Sequence, residues 1–217
     1  MASEGLSLAR RERSALVETM RGTGPDAPTL CDGWTTRDLA AHLVVREARP
    51  EAAGVLVPAL AARLESLRLV EAQRPWTELL EQIEAGPPWY SPLRIADTLA
   101  NTAEYLVHHE DVRRAADGWT RRELDQADLD RLWTLSTLVA RTKLRKVRAR
   151  IDLCVPAASE STGAAPVSTG AALAPYVTVI ADPVELLLWS FGRNEVDIEI
   201  SGARAGIEAL ESVSRRV

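Results

Sequence analysis

The feature that most restricts this chain is a change of hydrophobic period near residue 144. Up to about residue 140 the apolar positions recur every three to four residues, with Leu6, Leu8, Ala9, Leu16 and Met20 marking the first stripe. That spacing buries one face of a helix. From Leu144 to Val155 the period falls to two: Val147, Ile151, Leu153 and Val155 alternate with Arg148, Arg150 and Asp152, as in a half-buried strand. A single chain of 217 residues can hold one large domain or a main domain with an appendage. The periods give a mainly α protein: a helical bundle over residues 1–140, then a small α+β domain over 141–217.

Local signals sharpen this outline. After the first helix comes a turn-rich loop, Gly22-Thr-Gly-Pro-Asp-Ala-Pro28, and a second helix opens at Trp34-Thr-Thr-Arg-Asp38. Thr35 with Asp38 three residues later resembles a capping box, in which two side chains satisfy amide donors at a helix start. Pro50, Pro58, Pro75 and Gly86-Pro-Pro88 punctuate two or more further helices. A long helix is expected from about Pro92 to Ala116 and another from about Thr120 to Arg141. In the last third, residues 156–174 are mostly Ala, Ser, Thr, Gly and Pro and read as a mobile loop. Tyr176–Ile180 and Val196–Ile200 are strand candidates. Between them Asp182-Pro-Val-Glu185 starts a helix, with Asp at the cap and Pro at the first helical position. The basic run Arg141–Arg150 reads as a strand's solvated face. Asp32-Gly-Trp-Thr-Thr-Arg-Asp-Leu39 is echoed by Asp117-Gly-Trp-Thr-Arg-Arg-Glu-Leu124, which reads as a repeated turn and cap, since no fixed period recurs as it would in a solenoid.

Composition excludes several functions. A net charge of -5 speaks against a general nucleic-acid binder, which carries a basic surface. The first ten residues lack the pattern of a signal peptide, and the longest apolar runs, such as Val184–Trp189, are too short to cross a bilayer. Cys31 and Cys154, the two cysteines, form neither a disulfide framework nor a metal spacing. A cytoplasmic protein without a membrane partner is expected. Cys31, among turn residues before a helix, reads as a packing residue.

The three histidines are His42, His108 and His109. Glu104 and His108 lie four apart on an expected helix, one turn apart on one face. A carboxylate oxygen and an imidazole nitrogen at that spacing can grip one ion, since both bind zinc at about 2.0–2.2 Å. Asp111, at the next turn, is placed to accept a hydrogen bond from the unligated nitrogen of a histidine, or to be a further ligand. The competing account makes Asn101, Glu104, His108 and Asp111 a solvated polar stripe. Around the same helix His109, Glu110 and Arg113 fall on the far side, where a solvated face is better placed. Because Leu99 and Leu106 fall there too, periodicity alone leaves both accounts open.

Leu30-Cys-Asp-Gly-Trp-Thr-Thr-Arg-Asp-Leu-Ala-Ala-His-Leu43 resembles the helix-two signature of the maleylpyruvate isomerase-type proteins of the DinB-like superfamily. Glu104-Tyr-Leu-Val-His-His-Glu-Asp111 resembles their second signature, Glu-x-x-x-His-x-x-Asp. Asn101–Arg114 is similar to an actinobacterial branch described as metal-binding proteins. The resemblance extends to Asp182-Pro-Val-Glu-Leu-Leu-Leu-Trp-Ser-Phe-Gly-Arg193, like the Leu-rich helix ending in Gly-Arg of that family's small C-terminal domain.

This resemblance implies a DinB-like four-helix bundle holding a divalent metal, zinc first, on His42, Glu104 and His108. It also implies mycothiol as a thiol cosubstrate and a small electrophilic substrate. An open coordination position separates a catalytic zinc from a structural one, and zinc can hold a thiolate ready for attack. Arg193 would suit a substrate carboxylate or developing enolate charge; equally, an arginine there complements a helix dipole. His109 and Glu110, without a role in the signature, read as residues supporting the ligands or as surface. Two functions therefore stand side by side: a metal- and thiol-dependent transferase or isomerase, and a non-enzymatic metal module for sensing or structure. Substrate and oligomeric state are not encoded in these patterns.

Overall fold

A computed structural model describes residues 7–48, 58–91, 99–156, 167–170 and 175–213. It divides into two compact units, one ending at Thr120 and the other beginning at Arg121. The boundary thus falls earlier than the 140/141 expected from the change of period. The reason lies in the helix between: its apolar face packs within the second unit, so helical period alone does not say which core a helix joins.

The first unit contains five helices among its described residues: α1 (Leu8–Thr23), α2 (Thr36–Ala48), α3 (Pro58–Glu71), α4 (Trp76–Ala85) and α5 (Leu99–Arg113). Residues 92–98, where the last of these was expected to begin, lie outside the described residues. Helix α1 packs on α5 and α4, while α2 packs on α3 and α4. The core between them joins Leu16, Val17 and Met20 of α1 to Leu39, Leu43 and Val44 of α2, Leu79 and Ile83 of α4, and Tyr105 of α5. Ser7 caps α1 by accepting from the Arg10 amide. At the start of α2 the Thr35 amide donates to Asp38 Oδ2 at 3.0 Å, and the Asp38 amide lies 3.4 Å from Thr35 Oγ1. These are the two reciprocal contacts of a capping box.

The echoed motifs share one device. Gly33 and Gly118 have φ of 75° and 76°, a left-handed turn that glycine enters without a Cβ penalty. Each following tryptophan is covered by an arginine, Trp34 by Arg68 and Trp119 by Arg114, at 4.9 and 4.2 Å from guanidinium carbon to ring centre. The copies then diverge: Thr35 begins a helix at once, whereas the next helix after Thr120 is capped by Asp125, which accepts from the Asp128 amide at 2.8 Å.

The second unit holds α6 (Gln126–Leu144), α7 (Pro183–Ser190), α8 (Arg204–Glu211) and the strands β1 (Arg150–Cys154), β2 (Val167–Gly170), β3 (Tyr176–Ala181) and β4 (Ile198–Gly202). The sheet order is β2-β1-β3-β4, with β1 and β3 parallel and both outer strands antiparallel to their neighbours. Ile151, Leu153, Val177, Val179 and Ala181 point into a core shared with Leu144, Leu186 and Trp189, and α6 packs on α7.

Three expectations change here. Residues 156–174 were expected to be one loop, yet Val167–Gly170 pairs with β1, from Leu153↔Val167 to Arg150↔Gly170; small polar residues suffice on an edge strand whose backbone supplies the bonds. The basic run is not one strand face, because α6 continues through Leu144 and β1 starts only at Arg150. Finally, α8 had no counterpart in the sequence reading. Asp182 does stand at the cap of α7, with Pro183 following, but its side chain bonds Arg121 rather than a helix amide. Among the described residues, no helix is long and apolar enough to cross a membrane.

Candidate metal centre

Helix α5 sets out Glu104, His108 and Asp111 along one side, and α2 supplies His42 across from them. His42 Nε2 lies 3.1 Å from Glu104 Oε1, and His108 Nε2 lies 3.3 Å from the same oxygen. The two imidazole rings are 5.4 Å apart, edge to face. The ligand atoms of His42, Glu104 and His108 all fall within 4.8 Å of one another. Zinc bonds of about 2.0–2.2 Å at a tetrahedral centre put ligand atoms roughly 3.3–3.6 Å apart, so this donor set, two nitrogens and one carboxylate oxygen, fits a divalent ion. The side chains are 32%, 23% and 12% exposed for His42, Glu104 and His108 respectively, so the cluster is partly accessible to solvent.

Glu104 Oε1 is crowded. Arg46 Nε, one turn beyond His42 on α2, also approaches it at 3.2 Å. Three nitrogens thus converge on one oxygen that has two lone pairs. Arg46 is itself held by Asn101, whose Oδ1 accepts from Nη1 at 3.0 Å. Burial pushes the Glu104 carboxyl up. Hydrogen bonds from His108 and His42, with the charges of His108 and Arg46, outweigh burial and hold it well below the usual carboxylate range.

The opposite nitrogen of His108 is occupied as well. Nδ1 donates to Asp111 Oδ2 at 2.9 Å, and Asp111 is fully buried. Burial pulls the His108 imidazole down; its bonds with Asp111, Cys31 and Glu104, and the Glu104 charge, raise it well above the ordinary histidine value. Carboxylate, then imidazole, then ion is a recurrent arrangement, because the outer carboxylate fixes the ring's tautomer and orientation.

His109 faces elsewhere. It is buried, with Nδ1 3.0 Å from Glu12 Oε2 and Nε2 2.9 Å from Thr19 Oγ1, so both ring nitrogens are spent tying α5 to α1. Glu110 is equally buried and pairs with Arg113 and Arg114 at 2.8 and 2.7 Å. The solvated face expected around His109 and Glu110 is therefore interior. Their polar groups are buried against partners, which periodicity of apolar residues does not register.

Arg193 stands in the second unit, just past α7, where its Nη1 donates to the Phe191 carbonyl at 2.9 Å. Three residues make contacts at the cluster that the sequence does not lead one to expect. Arg46 carried a signal, since i and i+4 share a helix face and His42 was already a candidate. Trp34 lies with its ring centre 5.2 Å from that of His42, inside the quoted signature. Cys31 packs against the helical core as expected, but its Sγ also reaches Asp111 Oδ2 at 3.2 Å and His108 Nδ1 at 3.9 Å. No local pattern announces a contact across so many residues.

No family model matches this chain, and no curated protein matches it. Among solved structures, it is similar to a crystal structure of the mycothiol-dependent maleylpyruvate isomerase in a histidine-to-alanine variant. The TM-score is 0.51 at 14% identity, covering 89% of this chain and 90% of that one. A structure of the same isomerase without that substitution gives 0.49 at 13% identity. At such identity the likeness is one of fold: a distant relationship.

Proposed function

We propose that this chain holds one divalent ion, zinc by donor chemistry, on His42, Glu104 and His108. We further propose that it uses a small thiol such as mycothiol to transfer to, or isomerise, a small electrophile. The observation that carries the metal assignment is the convergence of two imidazole nitrogens on one carboxylate oxygen at 3.1 and 3.3 Å, all three side chains being partly exposed. The fold likeness to the mycothiol-dependent isomerase favours the thiol. The same likeness supports reading the helical unit as a DinB-like four-helix bundle, with α1 beside α5 and α2 beside α3, and α4 against α1 and α2.

In this reading the bound ion would supply the positive charge that keeps a thiol deprotonated near neutral pH. The protein's own residues do the rest. Arg46 and Asn101 orient the Glu104 carboxylate, and Asp111 keeps the His108 proton on Nδ1 so that Nε2 presents a lone pair. Trp34 walls the His42 side with an aromatic face. Arg193, whose guanidinium fork suits a carboxylate, is proposed for an acidic substrate on the resemblance of its own segment alone.

Cobalt substitution tests the reading. Purified protein should hold about one ion per chain, and mycothiol should produce a sulfur-to-cobalt charge-transfer absorption that requires all three ligands, since soft sulfur is a good ligand for such ions. Arg193→Ala should leave that absorption alone and slow turnover of an acidic electrophile. If the ion binds and no small thiol perturbs it, the centre is a sensing or structural site and the transferase reading is wrong.

A further inference from the structure

Resting on that metal reading, the geometry points to Cys31 as a positioning residue of the centre: its thiol donates to Asp111, and through Asp111 it sets the orientation and tautomer of His108. Cys31 Sγ lies 3.2 Å from Asp111 Oδ2, the same oxygen that accepts from His108 Nδ1 at 2.9 Å. A thiol is a weak donor, but Asp111 is fully buried, where an oxygen short of donors is costly. The loop bearing Cys31 is built to deliver it. The Leu30 amide donates to the Asp111 carbonyl at 3.0 Å, the Cys31 amide to Thr29 Oγ1 at 3.2 Å, and Thr29 Oγ1 to the Trp34 carbonyl at 2.8 Å. Backbone and side chain of Asp111 are thus both bound by consecutive residues of one loop.

Cys31, His108 and Asp111 also form a second group of three that could by itself take an ion. The two groups share His108 through opposite nitrogens, Nε2 toward Glu104 and Nδ1 toward Asp111. Filling both would require stripping the imidazole of both protons. The group with Cys31 includes the fully buried Asp111, whereas His42 and Glu104 are 32% and 23% exposed. An ion that must meet a thiol from solution belongs on the exposed side, which leaves Cys31 beneath the ligands rather than among them.

Cobalt affinity of the full chain, measured by chelator competition for wild type, Cys31→Ala and Cys31→Ser, decides the matter. Outer partners of a ligating histidine usually contribute 10- to 100-fold in affinity; for a thiol acting through a carboxylate we expect about tenfold loss in Cys31→Ala. Cys31→Ser, which restores a donor, should recover affinity to within about threefold. Wild type loaded with cobalt and no added thiol should lack sulfur-to-cobalt absorption. Unaltered affinity in Cys31→Ala overturns the proposal, as does sulfur-to-cobalt absorption that vanishes in Cys31→Ser, which would make Cys31 a ligand. Equal losses in both variants that track the melting temperature of the metal-free protein reduce Cys31 to packing and also overturn it. Wild type that takes up no cobalt sinks the metal reading first, and this one with it.

Discussion

On α5, His108 and His109 are adjacent in sequence and end in unlike surroundings. His109 turns toward α1, where Glu12 and Thr19 occupy both its nitrogens and solvent is shut out. His108 turns toward α2. There one nitrogen is anchored by a buried carboxylate, and the other meets a glutamate oxygen that His42 and Arg46 also approach. Of the two, His109 is the more buried. What separates them is how their partners are used. His109 has both nitrogens on side chains of α1, whereas His108 has one on a carboxylate of its own helix and the other toward the Glu104 oxygen that His42 also approaches, the arrangement the proposed metal role requires.

The largest expected effect falls on the α2-facing side. His42→Ala or His108→Ala should reduce the bound metal from about one ion per chain to nearly none, read by elemental analysis of purified protein. Full occupancy in both variants would erase the distinction between the faces. The α1-facing side should answer in the opposite currency. His109→Ala should keep its metal but lose roughly 1–3 kcal/mol of stability in denaturant unfolding, since it removes a buried hydrogen-bond partner of the Glu12 carboxylate. Metal loss without destabilisation would mean that the two histidines have exchanged roles. Asp111→Asn should lie between these extremes. Its metal affinity should fall 10- to 100-fold, about 1.4–2.7 kcal/mol, with the residual binding still dependent on His42. A variant that binds as tightly as wild type would show that His108 needs no carboxylate behind it.

How much of this was legible in the sequence follows from the range of each interaction. Thr35 and Asp38 are three residues apart, so their capping box could be read directly, as could Asp182-Pro183 at the start of α7. Glu104, His108 and Asp111 share a helix face for the same local reason. The face around His109 was misassigned because Glu12 is distant in sequence and its pairing leaves no periodic trace. The strand Val167–Gly170 was missed because an edge strand draws on backbone bonds to β1 rather than on apolar side chains. Assigning α6 to the second unit required knowing its partner α7, which helical periodicity cannot give. Cys31 combined both difficulties: it packs as a small apolar residue does, and its polar contact is with a residue far along the chain.

The smallest effect concerns the ion pairs behind His42. Arg68 bonds both Asp38 and Glu65 and lies over Trp34, whose ring neighbours His42. Burial raises the Asp38 carboxyl, but the Thr35 amide and hydroxyl and the Arg68 guanidinium outweigh it and hold Asp38 below the ordinary aspartate value. Glu65 is lowered too, chiefly by its bond with Arg68. A carboxyl depressed in the folded state stabilises the fold above its unfolded pKa, about 3.9 for aspartate. That contribution is lost as pH falls through the lower folded value, because the unfolded chain takes up the proton first. Metal-free wild type should therefore lose stability below about pH 4 more steeply than Asp38→Asn. The curves should differ near pH 7 by at most about 1 kcal/mol, since the pair is partly exposed and screened. Glu65 still titrates in the variant, so flattening is partial. Urea unfolding from pH 7 to pH 2.5 reads the difference, and superimposable acid limbs would show that Arg68 steers its carboxylates without stabilising them. His109→Ala, measured over the same range, should differ from its own Asp38→Asn double variant as wild type differs from Asp38→Asn, because Arg68 with its two carboxylates and His109 with Glu12 and Thr19 share no residue and should add.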